Sequence, residues 1–244
     1  MWQPVDRPPA IQAAAAILAR DFPDCLAAFM GGSVVRGEAT ATSDLDLLII
    51  VPDDHPSYRE SLHDFGWPIE VFVQTPAVHQ YFGRHDAARR SPSTSRMVCE
   101  GVVLQDRDGW AARLKEADCA LLAAGPAPLT EQELAFARYF VTDLIDDLTD
   151  ARPDEKAFIA WELAQNATNL ILDWHRQWRG RGKWLLRSLR HFDATLAEGL
   201  TDGLHRAMTT GDTTSLLAFA DQALELTGGR LWEGFRADAP DVSQ

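Results

Sequence analysis

Two aspartates stand two positions apart at the beginning of an apolar run, and this spacing could build a metal site. Asp44 and Asp46 come immediately before the apolar residues 47–51. Alternate residues of a β-strand share one face, so both carboxylates would point to the same side while their neighbours face the core. Two carboxylates this close repel each other unless a cation lies between them. Oxygen ligands of this kind suit Mg²⁺ that is shared with substrate phosphates.

A glycine-rich turn precedes the two aspartates. The apolar residues 26–30 run into Gly31, Gly32 and Ser33, which is typical of a buried strand that ends in a tight turn at the start of a helix. Glycines let backbone amides approach a ligand closely, and a helix N-terminus suits a phosphate. We expect the Ser33 hydroxyl and the amides of Gly32 and Ser33 to bind phosphate. Arg36 is either a further phosphate contact or a residue on the outside of the fold.

A third carboxylate lies in the alternating segment 68–73. Ile69, Val71 and Val73 would share the buried face of a strand, and Glu70 would occupy the other face. If this strand neighbours the strand of Asp44 and Asp46, three carboxylates converge. That arrangement meets the requirement of a two-metal site, in which one ion activates the attacking oxygen and the other stabilises the leaving group. The alternative is that Glu70 simply faces solvent.

These residues together resemble a known signature. Gly-Gly-Ser, ten further residues, Asp-Leu-Asp-Leu and a later strand with an acid are similar to the DNA polymerase β-like nucleotidyltransferases. The intervening residues are most similar to the small bacterial branch, which includes aminoglycoside and lincosamide nucleotidyltransferases and the minimal enzymes of toxin–antitoxin pairs. The resemblance implies that Asp44, Asp46 and Glu70 bind two Mg²⁺ ions and that Ser33 binds the triphosphate of an NTP substrate, which we expect to be ATP. It also implies a mixed β-sheet flanked by helices. Glycosyltransferases also use Asp-x-Asp, but there the apolar strand precedes the motif, whereas here it follows.

The sequence pattern changes near residue 106, which predicts an α+β chain of two domains. Short β-rich runs interrupted by turn residues come before this point, and helical periodicity follows it. We therefore expect a nucleotidyltransferase domain over residues 1–106 and an acceptor-side helical bundle over residues 107–244. Four strands are predicted, at residues 26–30, 45–51, 69–73 and 101–105. Helices are predicted from a capping box at Thr130 onwards and over residues 153–178, 184–191, 194–208 and 214–226.

Candidate binding residues in the helical part come from two polar groups. Lys183 lies in the basic segment 176–190, within a Gly-Lys-Trp-Leu run similar to a Lys-Trp-Leu element of such bundles, and we expect it to contact phosphate. The alternative is a solvated helix end whose basic residues complement the helix dipole. Glu162, Asn166 and Asp173 recur at helical spacing and are candidates for contacting the acceptor, although such stripes are commonly the solvent face of a helix.

Composition limits the class of partner and the compartment. The 244 residues carry a net charge of −13, which argues against nucleic acid as a partner, because proteins that bind nucleic acid usually present a basic face. The three cysteines share no close spacing, so we expect reduced thiols without a disulfide framework. The apolar residues 13–19 are too few to span a bilayer and lack the features of a signal peptide, so we expect a cytoplasmic protein without membrane partners.

The sequence therefore predicts transfer of AMP from ATP to a hydroxyl of a small molecule, with release of pyrophosphate. The acceptor is expected to be cationic and aminoglycoside-like, bound against carboxylates of the helical domain, which would connect the protein to antibiotic resistance. One alternative acceptor is a protein or a tRNA, as in toxin–antitoxin systems. A second alternative is a non-catalytic nucleotide-binding module. A module of that kind is expected to lack one of the carboxylates, and none is missing here.

Overall fold

The structure, a computed structural model, describes residues 7–238, and its first unit is built on a five-stranded mixed sheet. The strands are β1 (Ala27–Gly31), β2 (Leu45–Ile50), β3 (Tyr58–Asp64), β4 (Trp67–Gln74) and β5 (Val102–Asp106). Their order across the sheet is β3-β4-β2-β1-β5. Strands β2 and β4 run parallel, and the other neighbouring pairs are antiparallel. The expected mixed sheet and α+β class are confirmed.

Helices cover both faces of this sheet. They are α1 (Ala10–Asp21), the single turn α2 (Gly32–Val35), α3 (Pro76–Ala88), α4 (Ser93–Glu100) and α5 (Trp110–Ala124). Leu45, Leu47 and Ile49 pack on the side of α1, whereas Leu48 and Ile50 pack with Val98 of α4 and Ala111 of α5. A strand covered on both faces reads as a continuous apolar run, which explains residues 47–51. Asp46 is the half-buried exception within β2.

The edge strand β3 was not predicted from the sequence. Its residues are mostly exposed and polar, so the segment lacks the apolar alternation that marks a half-buried strand. A two-residue turn of Phe65 and Gly66, both at positive φ, joins it to β4, as right-handed strand twist favours in a tight hairpin. Trp67 and Pro68, which precede the strand predicted at residues 69–73, are the first residues of β4.

The chain divides into compact units at Ala124 and Gly125, rather than after residue 106 as expected. Helix α5 belongs to the first unit because it completes the core on one face of the sheet, where Ala111 is fully buried. Lys115 of α5 also donates hydrogen bonds to the carbonyl oxygens of Cys99, at 3.2 Å, and Gly101, at 2.8 Å. The change from β-rich to helical sequence therefore precedes the structural boundary by one whole helix.

The expectation of three reduced cysteines is wrong for two of them. Cys99 at the end of α4 and Cys119 in α5 form a disulfide, with their Cα atoms 5.2 Å apart. Their separation of 20 residues gave no sequence signal, and only the packing of α4 against α5 brings them together. Cys25 is free and buried, and burial raises the pKa of its thiol.

The second unit is helical, as expected. It contains α6 (Glu131–Thr149), α7 (Lys156–Trp174), α8 (Lys183–Phe192), α9 (Ala194–Thr209) and α10 (Thr214–Leu226). The capping box at Thr130 is confirmed, since its hydroxyl accepts from the Glu133 amide while the Glu133 carboxylate accepts from the Thr130 amide. Helix α7 packs against α6, α8, α9 and α10, and its apolar residues form the centre of the core. It ends at Trp174, before the expected residue 178, because Arg176 adopts a positive φ of 54° that no helix continues.

No helix within residues 7–238 is long and apolar enough to cross a membrane.

Candidate active site

The glycine turn and the second aspartate meet at the end of β1. Strand β1 ends at Gly31, and α2 begins at Gly32, which has a φ of +84°. A side-chain carbon on Gly32 would lie 2.3 Å from Oδ2 of Asp46, so the carboxylate rests directly against the glycine backbone. Only glycine allows both this φ and this close approach. The groups expected to bind phosphate and metal therefore lie side by side.

The sheet register places the third carboxylate beside the second. Asp46 lies opposite Gly31 on β1 and opposite Glu70 on β4, and Glu70 in turn lies opposite Ser61 on β3. Residues opposite each other on neighbouring strands project to the same face. Gly31, Asp46, Glu70 and Ser61 therefore form one row across the sheet. The sequence-based condition that the strand of Glu70 must neighbour the strand of the aspartates is met.

Ser33 and Asp44 are connected through Ser43. The hydroxyl of Ser33 lies 3.0 Å from that of Ser43, which also accepts a hydrogen bond from the Thr40 amide at 2.8 Å. Ser43 is buried and immediately precedes Asp44, which is half-buried. These bonds close the loop between α2 and β2, and they hold the entry to β2 next to the glycine turn. Ser43 and Thr40 were not singled out in the sequence, because polar loop residues carry no pattern of their own.

Glu70 has a partner that the sequence did not predict. The guanidinium of Arg59 on β3 lies 2.5 Å from Oε1 of Glu70, and the hydroxyl of Ser61 lies 3.5 Å from the same oxygen. Arg59 also covers the ring of Phe72, with its guanidinium carbon 4.9 Å from the ring centre. Because β3 was not recognised as a strand, neither Arg59 nor Ser61 could be placed beside Glu70 from the sequence. The third carboxylate is thus paired with a cation in this structure.

The donor chemistry of the row fits a hard divalent cation, since carboxylate oxygens are the protein ligands that Mg²⁺ prefers. Asp46 and Glu70 are neighbours in register, and Asp44 is two residues before Asp46. Within residues 7–238, however, no three side chains of His, Cys, Asp or Glu stand close enough to enclose a metal ion. Glu70 is instead paired with Arg59 of β3.

Arg36 follows α2 and contacts acidic side chains. Its Nε donates to Glu38 at 3.3 Å, and its Nη1 lies 4.0 Å from the carboxylate of Glu100 at the end of α4. The Arg36 side chain is 26% exposed, which makes it half-buried. Its phosphate contact stays a prediction.

The candidates of the C-terminal unit fall into exposed and buried groups. Glu162 is exposed on α7, and Asn166 donates from its side-chain amide to the Glu162 carbonyl at 2.9 Å. Lys183 is the exposed first residue of α8. Asp173 differs from the others, because it is 1% exposed and forms an ion pair with Arg179. A carboxylate that is buried and already paired with an arginine is not accessible to an acceptor, so we do not retain Asp173 as an acceptor ligand.

Comparison with known proteins bears on the first unit. Among solved structures, the chain is similar to a nucleotidyltransferase-like protein from Exiguobacterium sibiricum 255-15, at 12% identity and a TM-score of 0.45, over 89% of this chain and 76% of that chain. A search of the curated proteins found no match. The family model of the nucleotidyltransferase domain matches residues 11–81, which include the glycine turn, both aspartates and Glu70. Residues 11–81 therefore form a nucleotidyltransferase domain, which supports a nucleotidyltransferase activity for this chain.

Proposed function

We propose that this enzyme transfers AMP from ATP to a hydroxyl of a small cationic acceptor, with Mg²⁺, and releases pyrophosphate. One observation carries the catalytic part of the proposal. The Asp46 carboxylate rests against the Gly32 backbone and stands in register with Glu70. A phosphate held at the glycine turn would therefore lie beside the carboxylates that could share a cation with it.

Different residues of the first unit would bind the cation and the phosphates. Asp44 and Asp46 would hold a divalent cation, and Glu70 would complete the set once it leaves Arg59. The Ser33 hydroxyl and the amides of Gly32 and Ser33 would bind the β- and γ-phosphates, with Arg36 beside them. A divalent cation, when bound, neutralises phosphate charge and makes the acceptor hydroxyl easier to deprotonate.

In the chemical step, the protein positions the acceptor and the nucleotide and forms no covalent bond with either. The acceptor oxygen forms a bond to the α-phosphorus as the bond between that phosphorus and the bridging oxygen of pyrophosphate breaks in line. The proton of the hydroxyl goes to a nearby carboxylate, for which Glu70 is our candidate, and the leaving pyrophosphate is stabilised by cationic groups and backbone amides. Lys183 is our candidate for a further phosphate contact.

The acceptor proposal is supported by charge. The chain carries −13 overall, so a cationic acceptor would be attracted to it over a distance of several ångströms. Glu162 and Asn166 are retained as acceptor contacts because Glu162 is exposed and Asn166 is half-buried on α7. The proposed aminoglycoside-type acceptor also agrees with the sequence resemblance to the small bacterial branch.

A pyrophosphate-release assay tests this proposal. The protein would be incubated with Mg²⁺, each of the four nucleoside triphosphates and a panel of aminoglycosides and lincosamides. We expect ATP to support release with a cationic aminoglycoside, and we expect the rate at limiting acceptor to fall as salt rises from low to moderate concentration. Mass spectrometry of the acceptor would then show addition of one AMP.

Two variants test whether Glu162 contacts the acceptor. Glu162→Gln should raise the KM for the cationic acceptor without changing the KM for ATP. Glu198→Gln, an equal loss of charge at an exposed position of α9, should leave both unchanged. Release only with neutral acceptors, a protein or a tRNA would refute the small cationic acceptor while leaving nucleotidyl transfer in place. ATP binding without any release would favour the non-catalytic module.

A further inference from the structure

Helix α4 lies against the glycine turn, although nothing in its sequence indicated a role there. A side-chain carbon on Gly31 would lie 3.5 Å from Cγ of Met97, the fifth residue of α4. A side-chain carbon on Gly101, just after the helix, would lie 3.0 Å from the carbonyl oxygen of Met30. The last turn of α4 is therefore packed onto the end of β1, next to the residues that we propose bind phosphate.

The same turn of α4 carries an arginine and a glutamate that interact with Arg36. Arg96 and Glu100 are four residues apart on α4, which places them on one face of the helix. The carboxylate of Glu100 lies 4.0 Å from Nη1 of Arg36. Burial lowers the pKa of Arg96, Glu100 acts in the opposite direction, and the positive charge of Arg36 lowers it further. The Arg96 guanidinium is thus influenced by the charges of both Glu100 and Arg36.

Arg36 and Arg96 are more buried than the carboxylates of Glu38 and Glu100. Arg36 is 26% exposed in its side chain and Arg96 is half-buried, whereas the carboxylates of Glu38 and Glu100 are 47% and 44% exposed. The arginines are therefore less exposed than Glu38 and Glu100. Exposed ion pairs are weak, so a ligand with several negative charges can replace the glutamates. A planar guanidinium fits phosphate oxygens with two parallel hydrogen bonds.

We propose that Arg96 is a second arginine that binds the β- or γ-phosphate of the nucleotide, and that Glu100 competes with the nucleotide for Arg36 and Arg96. This inference rests on the proposed function. It adds a residue of α4 to a site otherwise built from β1, α2, β2 and β4. Glu100 should weaken nucleotide binding, whereas the arginines should strengthen it. Removal of the Glu100 charge should therefore raise the affinity for the nucleotide.

Calorimetric titration of the full chain tests this inference, with α,β-methylene-ATP and Mg²⁺ as one probe and AMP as the other. Arg96→Gln should weaken binding of the methylene analogue about tenfold, the effect of one charge-assisted hydrogen bond, and should change AMP binding little, because AMP has no β- or γ-phosphate. Arg96→Lys should recover part of the loss. Glu100→Gln should strengthen binding of the analogue, and the gain should shrink at high salt.

The matched control is Arg113→Gln. Arg113 is an exposed arginine of α5, near the end of β1 opposite to Gly31, because Ala27 pairs with Asp106 there. It should bind both probes as the wild type does, and thermal unfolding would confirm that each variant folds. Equal weakening of AMP and analogue binding by Arg96→Gln, or weaker analogue binding by Glu100→Gln, would overturn the inference while the wild type still binds. A wild-type chain that fails to bind the analogue would overturn the proposed function together with this inference.

Discussion

At the scale of single residues, the site is defined by where three carboxylates lie and by what each one contacts. Asp46 touches the Gly32 backbone, Glu70 pairs with Arg59, and Asp44 is connected to Ser33 through Ser43. Each carboxylate therefore has a different neighbour, although Asp46 lies opposite Glu70 and Asp44 comes just before β2. These differences in contacts allow the proposed roles to be separated by substitution.

Asp46→Asn should reduce Mg²⁺-dependent turnover by at least about a hundredfold, because it removes a charge that offsets the cation and the phosphates. Asp44→Asn should have the same effect. Folding should be nearly unchanged, since both side chains lie outside the apolar clusters. Turnover would be measured by pyrophosphate release and folding by thermal denaturation. Asp53→Asn, the same charge change in an exposed loop of this unit, is the control. Near-normal turnover in either variant at the site would exclude the metal assignment.

Glu70→Gln should lower kcat much more than it raises the KM for ATP, because a lost base or metal ligand affects mainly the transition state. Glu60→Gln on the exposed strand β3 removes the same charge away from the row and should leave both constants near wild-type values. Steady-state kinetics with ATP and the acceptor would measure the two constants. A silent Glu70→Gln together with an inactive Glu162→Gln would place the base in the helical unit instead.

Lys183→Ala should raise the KM for ATP and leave the KM for the acceptor unchanged. The expected loss is about 1–3 kcal/mol, in the range of a charge-assisted hydrogen bond to phosphate. The side chain is exposed at the start of α8, so stability should not change. Initial rates over a range of ATP concentrations would measure the effect. Should the KM for ATP stay at the wild-type value, Lys183 is a solvated residue of the helix end.

At the scale of elements, the order and pairing of the strands bring the residues of the candidate active site together. Parallel pairing of β2 with β4 puts Asp46 opposite Glu70, while antiparallel pairing of β1 with β2 puts Gly31 opposite Asp46. A shift of either pairing by one residue would turn one of these groups to the opposite face of the sheet. The alternation of β4 opposes such a shift, because Ile69, Val71 and Val73 are buried while Pro68, Glu70 and Phe72 on the other face are half-buried. The pattern of β4 therefore also determines which face of the sheet carries Glu70.

Gly32→Ala tests the contact between the turn and β2. The new methyl group would meet Oδ2 of Asp46, and the positive φ adds strain, so we expect a loss of stability of roughly 1–2 kcal/mol. Turnover should fall more than stability predicts, because the carboxylate must move. Urea denaturation and pyrophosphate release would be measured side by side. Gly37→Ala, also at positive φ but with open space around it, is the control and should lose stability without a comparable loss of turnover.

At the scale of the whole molecule, each unit has its own apolar core, and the boundary lies between Ala124 and Gly125. The first unit keeps α5 through the core contact of Ala111, the hydrogen bonds of Lys115 and the disulfide to Cys119. A boundary drawn at residue 106 would cut through all three. The boundary lies after α5 because α5 covers one face of the sheet. The point where helical sequence begins does not determine it.

A pair of fragments tests this boundary. Residues 1–124 should fold alone and unfold cooperatively in urea, because they include the complete sheet and the helices on both of its faces. Residues 1–106 should lose that cooperativity, since the face covered by α5 would be exposed to water. Far-UV circular dichroism during urea titration would compare the two. Equal cooperativity of both fragments would show that α5 is not needed by the first unit.

Local sequence was enough to identify the glycine turn, both aspartates, Glu70, four of the strands and most helices of the second unit. These features depend on short-range physics, namely apolar periodicity, capping and turn chemistry, which neighbouring residues express on their own. The family resemblance depended on the same short segment, which the nucleotidyltransferase domain match at residues 11–81 also covers.

Tertiary structure alone decided which distant residues meet. Arg59 reaches Glu70 because the exposed strand β3 adds to the edge of the sheet, and exposure had removed its sequence signal. Cys99 meets Cys119 because α4 packs against α5, and Asp173 becomes buried and paired with Arg179 in the folded second unit. Such contacts form when whole helices and strands pack together. The free energy of that packing comes from apolar burial across the chain, and the local sequence around either contacting residue does not reveal it.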